Sequence, residues 1–159
     1  MNVYQSGFAA VALGLARASL RAFIELATKK TPAGTTLPLR DSHWIQTRIA
    51  QSEARISSSR AWISQILRAM WEECAASGKA TFEQRVQLRL ASTYAIHEAR
   101  EVVEACYADA GASAIFEAHP FERRMRDMHA DAEQLQAGVM HLQSVGQYYL
   151  GLKPSNRFI

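Results

Sequence analysis

The sequence is short of the residues that build stapled or metal-held domains. Its two cysteines, Cys74 and Cys106, form no CxxC and have no nearby histidine at ligand spacing, which excludes a disulfide framework and a zinc knuckle. Both sit in helical patterns and read as packing thiols of a reducing compartment. Glu-x-x-His, HExxH, the P-loop, GxGxxG and GxSxG are also missing, so no metal site and no self-contained hydrolase or nucleotidase is expected. Eight glycines and four prolines fall almost wholly outside the periodic stretches, and nothing alternates at period two long enough to be a strand. Long helices on short loops are what these absences leave.

Charge of one sign is scarce too. The excess is +3 with a pI near 9.1, and the arginines are spread over every segment, which permits an anionic partner without demanding one. Trp44, Trp62 and Trp71 lie among Arg48, Arg55, Arg60 and Arg68, a mixture that suggests base stacking. However, Trp62 and Trp71 are nine apart and project to opposite sides of a helix of 3.6 residues per turn, so no nucleic-acid partner is expected. The apolar run Phe8 to Ala16 resembles a signal-peptide core. No Lys or Arg precedes it, and the helical period runs on to Leu26. A bilayer takes about 20 apolar residues, so no membrane span is expected and the chain reads as cytoplasmic.

What is present is helical period. Helix one, near Val3 to Lys30, places Tyr4, Phe8, Val11, Leu15, Ala22 and Leu26 on one face, with Gly7 and Gly14 expected to let a neighbour approach closely. Met1 leads into it with no cap but Asn2, so the start reads as a cut through a longer protein. Pro32 and Gly34 end it. Asp41 or Ser42 is the expected N-cap of helix two, whose stripe is Ile45, Ile49, Ile56, Ile63, Ile66 or Leu67, and Met70, with Gly78 as stop. Its 35 or so residues span about 50 Å, a length suited to packing on another subunit or domain. Thr81 and Gln84 form a capping box opening helix three, which turns Val86, Leu90, Tyr94, Val103 and Cys106 inward and stops at Gly111. Helix four runs from Phe121 to about Leu150 on the stripe Met125, Met128, Ala132, Leu135, Val139, Leu142 and Tyr149. The tail LKPSNRFI is expected to be extended. The expected fold is one all-α domain, residues 1–159, a four-helix up-and-down bundle.

The head of helix four is unusually dense in polar groups, with Arg123, Arg124, Arg126, Asp127 and His129 within two turns. Arg126-Asp127-x-His129 opens the helix, and Gly146 and Leu150-Gly151 follow it. With Leu26-Ala27-Thr28-Lys29-Lys30-Thr31-Pro32-Ala33-Gly34 and Tyr107-x-x-x-Gly111-Ala112-x-Ala114-Ile115, the chain resembles the C-terminal helical domain of the acyl-CoA dehydrogenase superfamily. Within it, the chain is most similar to the flavin-dependent monooxygenases that use reduced flavin.

The resemblance implies a flavin, FAD or FMN, with Lys30, Gly111, Ala112 and Arg126 as cofactor-binding positions and His129 and Gln134 as catalytic ones. It further implies an N-terminal helical domain and a central β domain outside these residues, assembly as a homotetramer or dimer, and a flavin reductase as partner. The monooxygenase branch usually has a second histidine five residues after the first. Here Gln134 stands there, able to donate a hydrogen bond but not to exchange a proton. Dehydrogenases tend instead to carry Glu-Gly-Thr after the Arg-Asp, whereas this chain has Glu133 with no Gly-Thr following. Two alternatives stand beside the monooxygenase reading. One is acyl-CoA dehydrogenase-like electron transfer. The other is a non-catalytic oligomerisation module in which the polar cluster only braces a helix start, Lys30 is a solvated helix-end lysine and Gly111 merely terminates helix three.

Overall fold

A computed structural model describes residues 3–154. Five α-helices carry the fold: α1 Tyr4–Lys29, α2 His43–Ser77, α3 Phe82–Ala110, α4 Phe121–Ala132 and α5 Met140–Tyr149. Short 3-10 turns at Leu39–Asp41, Gly111–Ile115 and Leu135–Ala137 join them, and there is no strand among the described residues. The expected all-α bundle is thus found, with its fourth rod broken in two.

The helix boundaries follow local chemistry. Thr81 Oγ1 accepts from the Gln84 amide at 3.1 Å while Gln84 Oε1 accepts from the Thr81 amide at 2.9 Å, satisfying two of the donors a helix start leaves free. Gly78 ends α2 at φ +80°, where an L side chain would be strained. Ser42 is the cap residue of α2, without a side-chain cap bond. The α1–α2 loop is tied back by the Leu39 amide on Lys30 O at 2.9 Å.

α3 is the central rod and packs against each of the other four helices. Its buried Leu88, Ala91, Ala95, Ile96, Ala99 and Val103 meet Ala9, Ala12, Ala16, Leu20, Phe23 and Ala27 of α1 in one core. Alanines on both sides let two long rods sit close, and the bulkier Leu20 and Phe23 fill the space beyond. α2 adds a narrow seam of Ile45, Ser52, Ile56, Ser59, Ile63, Ile66 and Met70. Arg48 and Arg55 of α2 pair with Asp109 and Glu98 of α3 at 3.3 Å and 2.5 Å.

Several expectations are corrected, among them the inward place of Tyr94 on α3, which is 42% exposed because its ring lies against Trp62 at the surface instead of in the core. The inward face of α1 is Gln5, Ala9, Ala12, Leu13, Ala16, Ser19, Leu20, Phe23 and Ala27, while Tyr4 is 65% and Val11 57% exposed. The small residues face α3 because only they allow the close approach. Gly7 and Gly14 do not serve that approach, since a Cβ at either would meet nothing within 4 Å. Helix four does not continue to Leu150: it stops at Ala132 and resumes at Met140, leaving Leu135 and Val139 exposed. By length and composition α1 is also apolar enough to cross a membrane, although the run Phe8 to Ala16 alone is not.

Candidate functional site

α1 and α4 converge where the C-terminal half of α1 faces the loop before α4. They enclose a cleft of about 710 Å³, lined by Arg21, Lys29, Lys30 and Arg124 with Glu25 the single acid. Phe121, buried at the start of α4, anchors the loop. Arg124 reaches across to donate to Ala18 O at 2.8 Å, and burial together with neighbouring Arg123 lowers its pKa. Four cations against one carboxylate make this a place where an anion is favoured.

Lys30 closes one end of the cleft. Its Nζ donates to Ala110 O at 2.7 Å, the last carbonyl of α3, so the ammonium meets the negative end of a helix dipole. Gly111 follows at φ +56°, and a Cβ there would lie 3.8 Å from Lys30 Nζ. Lys30, Gly111 and the adjoining exposed Ala112 are therefore brought together, and Lys30 is not a solvated helix end.

The other expected site residues lie elsewhere. Arg126 is 71% exposed and pairs with Glu122 at 2.8 Å. It lines a separate hollow of about 540 Å³, with Arg123, Ile115 and Phe116. The two hollows share Ala118, His119 and Pro120. His129, one turn on, sets its Nε2 3.3 Å from Glu104 Oε1 of α3, the oxygen that also accepts from Arg100 Nε at 2.6 Å. A carboxylate shared by a guanidinium and an imidazole holds α4 to α3 and gives His129 a partner for a proton. Asp127 is exposed. Asp131, on the last turn of α4, has an Oδ2 buried without a hydrogen-bond partner, and burial raises its pKa.

Gln134 sits where the rod breaks. Its ψ of 151° takes the backbone out of helix, and its side chain is exposed. Behind it, the turn Leu135–Ala137 is gripped by polar side chains that sequence reasoning passed over. Arg89, 1% exposed, donates to Gln136 Oε1 at 2.7 Å. Thr93 donates to Gln136 O at 3.2 Å, and the His97 and His141 Nε2 atoms lie 2.9 Å and 2.7 Å from Ala137 O and Leu135 O. A carbonyl only accepts, so both rings carry their proton on Nε2. Burial pulls the Arg89 guanidinium down to about 10, which leaves it charged at neutral pH. The available signal was the spacing of Arg89, Thr93 and His97, four apart and on one face of α3. Cys106 is buried, and burial pushes its thiol up to about 12. That suits packing, not nucleophilic chemistry.

These features define an all-α bundle domain with a cationic cleft at one helix junction and a hydrogen-bonded break in its last rod. Residues 6–136 match the family described as acyl-CoA dehydrogenase, C-terminal domain. The chain belongs to that family. It is 30% identical over 149 residues to an indole-3-acetate monooxygenase of Acinetobacter baumannii, a similarity covering 94% of this chain and 38% of that protein. Among solved structures it resembles the HsaA monooxygenase from M. tuberculosis, with a TM-score of 0.86 and 20% identity over 98% of this chain and 40% of that one. It also resembles XiaF from Streptomyces sp., solved with FADH2 and glycerol, with a TM-score of 0.85 and 18% identity over 94% of this chain and 38% of that one. The chain thus spans less than half the length of the proteins it matches.

Proposed function

We propose that this chain is the C-terminal domain of a flavin-dependent monooxygenase that acts on a small aromatic molecule with reduced flavin, FAD or FMN. The observation that carries the reading is the similarity to indole-3-acetate monooxygenase, which runs through the cleft, the head of α4 and the bend after it. The absence of the dehydrogenases' Glu-Gly-Thr at that bend supports the same choice. An N-terminal helical domain and a central β domain complete the enzyme, and a flavin reductase supplies it. The protein assembles as a homotetramer or dimer. Tyr4 and Val11 of α1, Trp71 of α2, and Tyr149 and Leu150 at the end of α5 are among the exposed apolar side chains available to those contacts.

The residues present fit a flavin nucleotide. The cleft of Arg21, Lys29, Lys30 and Arg124 has the charge to hold its phosphates, and Gly111 leaves the backbone beside Lys30 open to close approach. Lys30, Gly111 and Ala112 would hold the cofactor there, with Arg126 serving the adjoining hollow. When bound and reduced, the flavin supplies the electrons that activate dioxygen. Gln134 donates hydrogen bonds from its amide without exchanging a proton. His129, its Nε2 3.3 Å from Glu104 Oε1, is the imidazole that would pass a proton.

The test is the full-length flavoprotein supplied with reduced FAD or FMN, dioxygen and a panel of small aromatic acids that includes indole-3-acetate. Oxygenated product that depends on reduced flavin is expected. Bleaching of the oxidised flavin by acyl-CoA thioesters without oxygenation would move the assignment to a dehydrogenase. Failure to retain any flavin would leave an assembly module.

A further inference from the structure

Every backbone carbonyl of the turn Leu135–Ala137 accepts from a side chain. Leu135 O takes the His141 Nε2 proton, Gln136 O the Thr93 hydroxyl and Ala137 O the His97 Nε2 proton, while Arg89 holds the Gln136 side chain. Three of these four donors stand one above another on α3, and the fourth comes from α5. The turn is closed on itself by the Ala137 amide on Gln134 O at 2.9 Å and the Gly138 amide on Leu135 O at 3.2 Å. A Cβ at Gly138 would come within 3.2 Å of Leu135 O, so a side chain there would press on the turn and push it back by a few tenths of an ångström.

Ending a helix requires none of this. A glycine and a solvated loop suffice, as at Gly78. Burying a guanidinium to 1% exposure carries a large desolvation cost unless its bonds compensate, and an apolar side chain of that volume would fill the same space. What the hydrogen bonds add over apolar packing is direction, and the backbone they fix includes Gln134, whose carbonyl closes the turn by accepting from the Ala137 amide.

We infer that Arg89, Thr93, His97 and His141 are positioning residues for Gln134: they lock the turn behind it so that its amide is presented at one angle to the site. This rests on the monooxygenase reading, in which Gln134 lies at the reacting end of the domain. The residues act through the turn and do not themselves touch substrate.

The experiment compares Arg89→Met, Arg89→Lys, Thr93→Val, Gln134→Ala and the Arg89→Met/Gln134→Ala double variant of the full-length flavoprotein. Hydrogen exchange and oxygenation kinetics are read together. Arg89→Met is expected to speed exchange of the Ala137, Gly138 and His141 amides by about tenfold or more while α2 amides are unchanged. Arg89→Lys should restore part of the protection, and Thr93→Val, which keeps the shape and removes one donor, should give a smaller increase. Arg89→Met and Gln134→Ala should each lower kcat with little change in KM, and the double variant should be no slower than Gln134→Ala alone, because both losses pass through one group. Should Arg89→Met fail to fold, Thr93→Val combined with Gln134→Ala makes the same comparison. Unchanged exchange at the turn in the folded variants overturns the clamp, whatever the activity. Full additivity of the two losses overturns the positioning role. An unaltered kcat in Gln134→Ala also overturns it, and traces the failure to the role given to Gln134, not to the clamp.

Discussion

The seam between α1 and α3 is buried and the turn between α4 and α5 only partly so, and they are held by opposite means. The seam is alanine, leucine, isoleucine and phenylalanine, with α1 and α3 sharing one continuous core. The turn is held by an arginine, a threonine and two histidines. Apolar contact is strong but nearly indifferent to direction, and it tolerates small shifts if volume is kept. Hydrogen bonds to successive carbonyls contribute less to net stability, yet they admit one geometry. The domain thus places its rods by the first means and its one deliberate irregularity by the second.

That contrast can be broken in stages. Phe23→Ala in the seam should cost roughly 3–5 kcal/mol through lost burial and a residual cavity, read as a large fall in Tm; a loss below about 1 kcal/mol would place the core elsewhere. Arg89→Met should cost less globally, about 1–3 kcal/mol, with its effect concentrated in exchange at the turn. Thr81→Ala removes the cap of α3, the rod common to both regions, and should cost about 1 kcal/mol in denaturant unfolding.

Acid should separate the two regions. Burial, helped by Arg89, pulls the His141 pKa below its ordinary 6.5. The folded state therefore favours the neutral ring, and its contribution is complete above about 6.5. It is lost as pH falls from there toward the folded value, because the unfolded chain takes up the proton first. Turn amides, corrected for intrinsic rates, should lose protection as pH falls below about 6.5 while the seam amides do not; parallel profiles would contradict this. The smallest effect belongs to Arg126→Ala, whose exposed pair with Glu122 should be worth less than about 0.5 kcal/mol. A larger loss of stability would mean Arg126 braces the helix, not the adjoining hollow.

Much of the fold was legible because its signals are local. The Thr81–Gln84 box, Gly78 and Gly111 mark their helix ends within a few residues. The seam of α2 follows from isoleucines at steps of three, four and seven. The orientation of α1 was not legible, since Tyr4, Phe8 and Val11 are as apolar as a core yet lie half-buried or exposed. Hydrophobicity marks surfaces that avoid water and does not say which neighbour covers them. The bend was hidden for a related reason: Met125, Met128, Ala132, Leu135 and Val139 keep a helical step straight through it. What stops the helix is a row of donors some 40 residues earlier in the chain, and no local window connects the two. Of the site, Lys30 and Gly111 were found as neighbours in space, whereas Arg21 and Arg124 looked like ordinary helix charges until α1 and α4 were set side by side.

Lys30 carries one more implication. Lysine side chains usually wander, and fixing one around a ligand consumes part of the affinity gained. Here one N–H is already committed to the end of α3, so the four-carbon stem is stilled when the chain folds, and an ammonium has two further donors. An incoming anion meets a cation already held in place, and pulling it away would loosen the last turn of the central rod.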